Sequence, residues 1–569
     1  MERADIIVPP AQPVAVARTE TRLAALKRLT YALLLTGLAS ITLGILFGPL
    51  QAFNYFGINV YPNLRPGVDS YYQGLTLHGV LNAFSFTTFF MSGLMYYLTS
   101  RELEVMPNLA VGWLGYIAML VGLILSVVSI FSNSSTVLYT FYPPMQASWA
   151  FYLGLALIFV GSWVYIFQIL HMVSIWRAAH PGRITPLAAW MSVITEGMWF
   201  IASIGVAWEI VVYLLPWSLG LRAGVDPLLM RTLFWWTGHP IVYFWLLPAY
   251  ISWYTLVPRQ AGGVLVSEPL ARVAFVLLLL FSLPVGTHHQ LEDAGIPTII
   301  RGVVIVLTYM VIIPSLMTAF TVGASLEYAG RKRGGSGLLG WIWKLPWNKP
   351  SFSAQAFAML IFIIGGASGL VNASWILNVS IHNTIWVPGH FHATLASASA
   401  LTFFGIMYWL IPHLTGKPLF APRLASTGNW LWLAGMTLFS LGMMTAGLLG
   451  VPRRAWVSGM LPGEYLRAYG SSLPILAIVG IGGLLLLISI VCIMISLWGT
   501  AIRPVIERIE VEIPFAVALH SKGSERIVKI TENYWLWFGV GALLMVVVYG
   551  PLLAHLFGME VPLPGIRRW

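Results

Sequence analysis

Long apolar runs separated by short polar connectors follow one another from end to end of the chain. Each run holds about 20 apolar residues, enough for a helix rising about 1.5 Å per residue to cross a hydrocarbon core of about 30 Å. The pattern predicts an all-α protein, a polytopic transmembrane helix bundle of about 13 spans. The predicted spans lie near residues 29–52, 75–98, 109–131, 148–175, 186–216, 230–256, 271–290, 298–328, 353–378, 385–413, 428–450, 471–498 and 533–557.

The connectors leave no room for a water-soluble domain, because none is long enough to bury a core of its own. Of the 569 residues, 58% are hydrophobic and 9% are charged, whereas a soluble domain carries about 25% charged residues. We therefore expect an N-terminal segment at 1–28, a single catalytic transmembrane domain at 29–557 and a tail at 558–569. The longest polar connector, 499–532, suits either a short strand pair outside the membrane or a contact with a partner.

Basic residues predict the orientation of the bundle. With the N-terminus placed inside, the inner connectors hold roughly two thirds of the 31 lysines and arginines, in agreement with the positive-inside rule. We therefore predict a cytoplasmic N-terminus, and the odd number of spans puts the C-terminal tail on the outer side. The same bias, together with attraction to anionic lipid, accounts for the net charge of +11 without a nucleic-acid partner.

His171, His180, His413, His520 and His555 lie near predicted span ends or in a connector, where a solvated imidazole is the simplest explanation. Six other histidines are placed at membrane depth, where an ionisable side chain costs about 2.5 kcal/mol or more. A single histidine in such a place is more often a hydrogen-bonded packing residue than a metal ligand. All six, however, fall in the outer half of a topology that rests on lysine and arginine alone. This agreement favours a common metal-binding layer over packing. The six are His78, His239, His288, His289, His390 and His392.

Spacing divides this layer into separate centres. Positions i and i+2 of a helix point about 200° apart, so His390 and His392 must serve two different centres. One of them, paired with His78, can hold a haem iron from both axial sides, while the other leaves its haem an open position for O₂. The three remaining imidazoles suit copper or non-haem iron with a vacant coordination site.

Tyr243 follows His239 by four residues and therefore lies on roughly the same helix face. A buried tyrosine is usually an aromatic packing residue whose hydroxyl is satisfied. Beside a metal pocket, its phenol can also deliver the proton and the electron that O–O cleavage requires. We therefore include Tyr243 among the candidate catalytic residues.

These motifs together resemble subunit I of the haem–copper oxidase superfamily over essentially the whole chain. They are His-Pro and Val-Tyr in GHPIVYFWLLPAY, His-His in GTHHQ, and His-Phe-His in WVPGHFHA. The likeness is closest to the B-family, ba-type cytochrome c oxidases of thermophilic prokaryotes, because Ile241 stands after His-Pro where the mitochondrial-like A-family usually has Glu. The segments TVLYTFYPP and GVPRRAW add to the match.

The resemblance implies a terminal oxidase of a prokaryotic plasma membrane that reduces O₂ to water while protons move outward. The implied ligands are His78 and His392 for a low-spin haem of b type, His390 for a high-spin haem of a type, and His239, His288 and His289 for copper. In relatives the tyrosine equivalent to Tyr243 is joined covalently to the histidine equivalent to His239.

The resemblance also assigns residues to the surroundings of the haems. Those implied to bind haem propionates or to line the haem sites are Arg453, Arg454, His382 and Tyr139. One position departs from the family: Asn378 stands where relatives carry an acidic residue near a propionate. Because an amide takes up no proton at ordinary pH, a proton-loading role at this position is not carried over.

A polar channel from the inner side to Tyr243 is a further implication of the resemblance. Its candidate residues are Tyr250 and Tyr254, at i+7 and i+11 from Tyr243, and Ser315, Thr318 and Thr321 on the span at 298–328. Each hydroxyl alone is more typical of packing against the helix backbone. Their shared line favours a hydroxyl-and-water path for protons.

The implied partners follow from what the chain lacks. Its single cysteine, Cys492, cannot build a dinuclear copper centre, so the family places that centre on a subunit II, which also carries the acidic channel entrance. A small single-helix subunit, cytochrome c as electron donor, O₂ and membrane lipid complete the expected partners. Quinol is the alternative donor.

Two other functions fit part of the pattern. A nitric oxide reductase on the same scaffold would use non-haem iron and favours a glutamate near that metal, so the phenol of Tyr243 argues against it. A non-redox transporter could use the buried histidines as a proton or metal-ion path and would need no haem. The discontinuous helices in paired halves that mark many transporters are not evident.

Overall fold

The computed structural model describes residues 13–519 and 523–567 and, over these ranges, consists of helices and connectors without a β-strand. The all-α prediction is therefore confirmed. Residues 1–12 of the predicted N-terminal segment and residues 568–569 of the tail lie outside the described residues.

Eleven helical stretches within the described ranges are long and apolar enough to cross a membrane. They are Glu20–Tyr55, Leu109–Phe131, Trp149–Ala179, Leu187–Ser218, Glu268–Gln290, Thr298–Lys332, Pro350–Ala373, Trp386–Thr415, Pro422–Leu448, Pro462–Ile502 and Tyr534–Phe557. Each coincides with a predicted span to within several residues, except that the first and tenth are longer.

The two other predicted spans are helical but do not belong to that set. Residues 71–103 form one helical rod in which Ser, Thr, Asn and His side chains lower the mean hydropathy. Residues 227–255 are divided at His239, because Pro240 has no backbone N–H to continue the hydrogen bonding. The count of about 13 spans therefore stays a prediction.

The individual helices of the described chain have the following bounds. The α-helices of more than 20 residues are Pro13–Ile45, Leu109–Phe131, Trp149–Ala179, Leu187–Trp208, Ile312–Lys332, Pro350–Ala373, Pro422–Leu448, Leu473–Ile502 and Tyr534–Phe557. The shorter ones are Gly48–Tyr55, Tyr71–Gly79, Thr87–Leu103, Leu215–Ser218, Pro227–Gly238, Pro240–Thr255, Val257–Ala261, Glu268–Ser282, Thr298–Met310, Trp375–Ile381, Trp386–Phe391, Thr402–Thr415, Pro462–Tyr469 and Glu525–Thr531. The 3₁₀ turns are Tyr61–Asn63, Leu283–Gln290, Ile342–Lys344, Val457–Gly459 and Gly470–Ser472. The π-helices are Val80–Phe86, Glu209–Leu214 and His392–Leu401.

Small residues bring neighbouring helices into backbone contact. A Cβ atom on Gly122 would stand 2.4 Å from the carbonyl oxygen of Gly154, and a Cβ on Gly154 would stand 2.6 Å from that of Gly122. Only glycine fits at both positions. In lipid, where the hydrophobic effect does not draw helices together, such close van der Waals packing is a main source of helix association.

The connector at 499–532 does not form a strand pair in its described part. It runs extended across one end of the bundle, and single backbone hydrogen bonds fasten it there. The N–H of Ala516 donates to the carbonyl of Thr255 at 2.6 Å, and the N–H of Leu265 donates to the carbonyl of Val517 at 2.9 Å. No strand lies beside the extended segment at this end of the bundle, so its backbone forms hydrogen bonds only with isolated residues.

Four segments carry the six histidines of the layer. We refer to residues 71–103 as the His78 helix, 227–255 as the His239 helix, Leu283–Gln290 as the His288 segment and Trp386–Thr415 as the His390 helix. The His78 helix and the His390 helix both change from α to π winding beside their histidines. Local π winding is frequent at functional sites, where it reorients side chains.

Candidate functional site

Three imidazoles meet at the junction of the His239 helix and the His288 segment. The candidate ligand atoms of His239, His288 and His289 all lie within 4.8 Å of one another. The Nδ1 of His239 is 3.2 Å from the Nε2 of His289, and the Nε2 of His239 is buried without a hydrogen-bond partner. The buried nitrogens that face each other, Nδ1 of His239 among them, fit a metal ion bound between the three rings, and Nε2 of His239 is left over on the other side of its ring.

Neighbouring side chains hold two of these rings in place. The hydroxyl of Thr308 donates to the carbonyl of Val304 at 2.6 Å and accepts the Nδ1–H of His288 at 2.8 Å. This bond places the proton on Nδ1 and leaves Nε2 of His288 free for a metal. The ring of His289 stacks on Trp235, with ring centres 3.7 Å apart and planes 12° from parallel.

A glycine allows the two segments to meet. A Cβ atom on Gly286 would stand 1.9 Å from the carbonyl oxygen of Trp235, so no other residue fits without moving the backbone. Gly286 lies two residues before His288, and Trp235 lies four residues before His239. This contact therefore sets the distance between the histidines of the two segments.

A second pair of imidazoles joins the His78 helix to the His390 helix. The rings of His78 and His392 are nearly parallel, with planes 21° apart and ring centres 6.4 Å apart. The Nδ1–H of His78 donates to the carbonyl of Gly44 at 3.1 Å, and that of His392 donates to the carbonyl of Pro388 at 2.7 Å. Two axial imidazoles with metal–nitrogen bonds of about 2 Å have ring centres roughly 6 Å apart, so the gap fits a haem iron.

His390 turns away from that pair, as its spacing from His392 predicts. Its Nδ1 lies 3.0 Å from the carbonyl oxygen of Gly365 and 2.9 Å from the hydroxyl of Ser368. A Cβ atom on Gly369 would stand 3.2 Å from Cε1 of the ring, so the absence of a side chain at Gly369 makes space for the imidazole. With Nδ1 occupied, Nε2 of His390 is the atom available to a second haem.

The connector at 449–461 brings two arginines to the end of the bundle at which Tyr139 lies. The guanidinium of Arg454 lies 5.1 Å from the ring centre of Tyr139. Burial, together with the neighbouring Arg454 charge, lowers the pKa of Arg453 to about 10. Burial opposes the charge of Arg454 as well, but Tyr139 and Tyr142 outweigh it and raise the pKa of Arg454. Burial would raise the pKa of Tyr139, yet the two arginine charges keep it below its usual value.

The same two arginines lack an acidic partner. No carboxylate of the described chain lies within 4.0 Å of Arg453 or Arg454, and the Nε of Arg453 is buried without a hydrogen bond. Two adjacent half-buried cations favour an anion beside them, and haem propionates are anions of the right kind.

The remaining candidates for the haem surroundings also lie in this region. Tyr139 packs directly against the His78 helix, since a Cβ on Gly79 would stand 2.6 Å from its ring. The Nδ1–H of His382 donates to the Oδ1 of Asn378 at 3.2 Å, and the Asn378 amide donates to the carbonyl of Asn372 at 2.7 Å. A neutral amide, that of Asn378, therefore orients the ring of His382, and no carboxylate takes that role.

Tyr243 lies beside the three imidazoles, with its ring centre 5.1 Å from that of His239. Below it, two tyrosines of the His239 helix meet hydroxyls of Ile312–Lys332. The Tyr254 hydroxyl donates to Thr318 at 2.8 Å, whereas the hydroxyl of Ser315, near Tyr250, donates to the carbonyl of Val311 at 2.8 Å.

Thr321 continues this line by one turn, although its own hydroxyl donates to the backbone carbonyl of Met317 at 2.8 Å. Ser325 is bonded in turn to the carbonyl of Thr321 at 2.7 Å. The sequence-based candidates thus lie on two facing helices, and direct hydroxyl contact joins them at one level, that of Tyr254 and Thr318.

Sequence reasoning missed the residues that orient the imidazoles. Most of them act through backbone carbonyls, as Gly44, Gly365 and Pro388 do. Every residue has a backbone carbonyl, so the sequence does not indicate which of them accepts a hydrogen bond from a histidine. Thr308 and Ser368 act through side chains, but each resembles the many helix hydroxyls that bond their own backbone. Such outer partners are as necessary to a metal site as its ligands.

Comparison with known proteins gives concordant results. Residues 28–485 match the family described as Cytochrome C and Quinol oxidase polypeptide I. The chain is 48% identical to cytochrome c oxidase subunit 1 of Thermus thermophilus, over 95% of this chain and 97% of that protein. It is 27% identical to quinol oxidase subunit 1 of Sulfolobus acidocaldarius over 46% of this chain and 48% of the other.

A solved structure has the same fold over almost the whole length. It is described as a cryo-EM structure of a heme-copper terminal oxidase dimer. It superposes with a TM-score of 0.90 at 36% sequence identity, covering 96% of this chain and 95% of that one.

Proposed function

The chain belongs to the cytochrome c and quinol oxidase polypeptide I family and is a haem–copper oxidase catalytic subunit, and we propose that it reduces O₂ to water with electrons from cytochrome c. The subunit binds a low-spin haem, a high-spin haem and a copper ion. The observation that carries the proposal is the group of three imidazoles within 4.8 Å of one another, with Tyr243 beside it. Once bound, the metals supply electron transfer and an open coordination position for O₂.

The proposed ligands are those that the geometry supports. His78 and His392 hold the low-spin haem, of b type, because their rings are parallel and their Nε2 atoms are free. His390 holds the high-spin haem, of a type. His239, His288 and His289 hold copper, whose preference for imidazole nitrogen matches the donor set.

Tyr243 is proposed to give a proton and an electron to the reaction. Its ring lies next to His239, whose Nε2 has no other partner. That orphaned nitrogen suits the covalent link to tyrosine that relatives carry. Such a link would fix the phenol at the metal pocket.

Arg453 and Arg454 are proposed to hold haem propionates, together with His382 and Tyr139 on the same side of the bundle. The absence of any carboxylate within 4.0 Å of either arginine, among described residues, supports this assignment. Propionate oxygens would satisfy the guanidinium donors by charge-assisted hydrogen bonds.

Protons are proposed to reach Tyr243 from the opposite side through hydroxyl groups and water between them. The contact of Tyr254 with Thr318 at 2.8 Å supports this path. Its members are Tyr250, Tyr254, Ser315, Thr318 and Thr321.

The protein is a multi-pass membrane protein, and we place it in the plasma membrane of a prokaryote. The proposed topology has about 13 spans within one catalytic domain at 29–557, a cytoplasmic segment at 1–28 and an outer tail at 558–569. The proposed partners are a subunit II with a dinuclear copper centre and a small single-helix subunit. Outward proton translocation accompanies O₂ reduction.

An optical and metal assay of the purified complex tests this function. We expect two haems in the reduced-minus-oxidised spectrum, only one of which shifts with carbon monoxide, and one copper in the three-histidine group in addition to the two of the dinuclear centre on subunit II. Iron without copper would favour a nitric oxide reductase. A sample without Soret absorption would favour a transporter, and turnover with quinol but not with reduced cytochrome c would overturn the proposed donor.

A further inference from the structure

A groove opens at the end of the bundle opposite the histidine layer. It has a volume of 490 Å³ and is lined by Arg526, Lys529, Ile530, Asn533 and Leu536. These residues join the short helix Glu525–Thr531 to the start of the C-terminal helix Tyr534–Phe557. We call it the C-terminal groove.

The far end of the same C-terminal helix fixes where the groove lies. Just beyond that end, the N–H of Leu563 donates to the carbonyl of Val225 at 2.9 Å, in the connector that leads into the His239 helix. The helix is 24 residues long, enough to cross the hydrocarbon core. The C-terminal groove is therefore at the other membrane boundary.

Two cations line the groove, and neither forms an ion pair in the described part of the chain. Arg526 and Lys529 are three residues apart and lie on one face of their helix. Neither has a carboxylate within 4.0 Å in the described part of the chain. The nearby Glu532 forms an ion pair with another residue: its Oε1 accepts a hydrogen bond from the guanidinium of Arg272 at 2.7 Å.

Asn533 adds a directed donor. Its Oδ1 accepts the backbone N–H of Leu536 at 3.2 Å and so caps the C-terminal helix. With the oxygen occupied, the amide N–H groups of Asn533 can donate to a ligand. The start of the helix adds the positive end of its dipole to the two cations.

The other half of the groove is apolar and continues along the membrane. Ile530 and Leu536 are 47% and 45% exposed, and Leu543 and Val547 continue the Leu536 face at i+7 and i+11 with 60% and 58% exposure. Trp535, 86% exposed, stands at the level of the groove, as interfacial aromatic residues do.

We propose that the C-terminal groove binds an anionic phospholipid. Its phosphate accepts hydrogen bonds from Arg526, Lys529 and the Asn533 amide, and one acyl chain follows Leu536, Leu543 and Val547. Cations alone would suit any small anion. The apolar path that starts between them and runs down a membrane helix selects a lipid.

Binding of fluorescent lipid to the delipidated, solubilised complex tests the proposal. The probes are phosphatidylglycerol, phosphatidylcholine with the same acyl chains, and inorganic phosphate as competitor. We expect phosphatidylglycerol to bind well above phosphatidylcholine and to resist competition by phosphate. The double variant Arg526→Gln, Lys529→Gln should bind phosphatidylglycerol roughly 30-fold more weakly, since each basic residue near anionic lipid contributes about fivefold.

Two further variants separate a lost site from a damaged fold. Lys529→Arg keeps the positive charge at that position and should bind phosphatidylglycerol as strongly as the unaltered protein. Leu543→Ser leaves both cations in place and should weaken phosphatidylglycerol binding. The matched control Arg331→Gln, Lys332→Gln removes two cations outside the groove and should leave binding unchanged. Equal binding of the two lipids, full displacement by phosphate, or unchanged binding in the Arg526, Lys529 double variant would each overturn the proposal.

Discussion

His78 and His392 face each other with ring centres 6.4 Å apart and planes 21° from parallel, although 314 positions separate them in the chain. Each ring gives its Nδ1 proton to a backbone carbonyl, so both present Nε2 to the gap between them. Because backbone atoms hold the rings, the gap is built into the packing of the His78 helix against the His390 helix. Such a preformed pair binds a metal with little rearrangement.

Replacing His78 by Ala should remove one haem and leave the other. Without its second axial imidazole the low-spin haem is lost or becomes five-coordinate, whereas His390 is untouched. The reduced-minus-oxidised spectrum should lose the low-spin bands and retain the carbon monoxide shift. His180→Ala, at a histidine that bonds only the carbonyl of Trp176 at 2.9 Å, is the matched control. Loss of the carbon monoxide shift with the low-spin bands intact would contradict the assignment.

Tyr243→Phe should leave both haem spectra and the copper content unchanged and lower O₂ turnover by roughly 100-fold or more, because the phenol proton is lost from the metal pocket. The change removes one oxygen atom and no packing. Tyr96→Phe is a suitable control, since the Tyr96 hydroxyl is buried without a partner and packs near Gly112, away from the histidines. Full O₂ turnover by the Tyr243 variant would exclude the proposed role.

Thr308→Val should weaken copper binding by about 10- to 100-fold, a typical cost of losing a hydrogen bond to a metal ligand. Valine keeps the shape of threonine but cannot accept the Nδ1–H of His288 at 2.8 Å. The copper-to-iron ratio after dialysis against a chelator measures the effect. Thr445→Val removes a hydroxyl that bonds only its own helix backbone and should keep its copper.

Thr318→Val should slow O₂ turnover by at least about tenfold and leave haem and copper content intact, because it breaks the hydroxyl contact with Tyr254 at 2.8 Å. Proton uptake after flash photolysis of the carbon monoxide complex measures the slowed step. Thr437→Val, whose hydroxyl donates only to the carbonyl of Leu433, serves as control. Unaltered proton uptake in the Thr318 variant would place the path elsewhere.

The histidine layer could be predicted because two independent signals agreed on it. The distribution of lysine and arginine predicted that all six histidines lie in the same half of the membrane, and the two-residue spacing of His390 and His392 required two centres. The break in the helix at His239 also has a signal in the sequence, because Pro240, which follows it, has no backbone N–H.

Other features had no such signal. The approach of Gly286 to Trp235 depends on how two segments cross, and any of the 54 glycines could have had that role. The bond between His390 and the backbone carbonyl of Gly365 could not be predicted either, because it also depends on how two helices pack. The buried ion pair of Arg272 with Glu532 joins residues 260 positions apart, which no local pattern specifies.

That ion pair leads to a last prediction, on stability. Arg272 is fully buried, with guanidinium contacts of 2.7 Å to both Glu268 and Glu532 and a further bond of 2.6 Å to the carbonyl of Thr185. Arg272→Leu leaves Glu532 buried without its cation and should destabilise the protein by about 3–5 kcal/mol.

Arg331 offers a control of the same local geometry. It pairs with Glu327 at 2.6 Å, also at i,i+4, but both side chains are more than 40% exposed. Water screens such a pair, so Arg331→Leu should cost less than about 1 kcal/mol. Thermal unfolding followed by tryptophan fluorescence should therefore show a large drop in midpoint for the Arg272 variant and almost none for the Arg331 variant. Equal drops would mean that burial of Arg272 adds nothing to the strength of its pairs, and that the cluster does not hold these helix ends together.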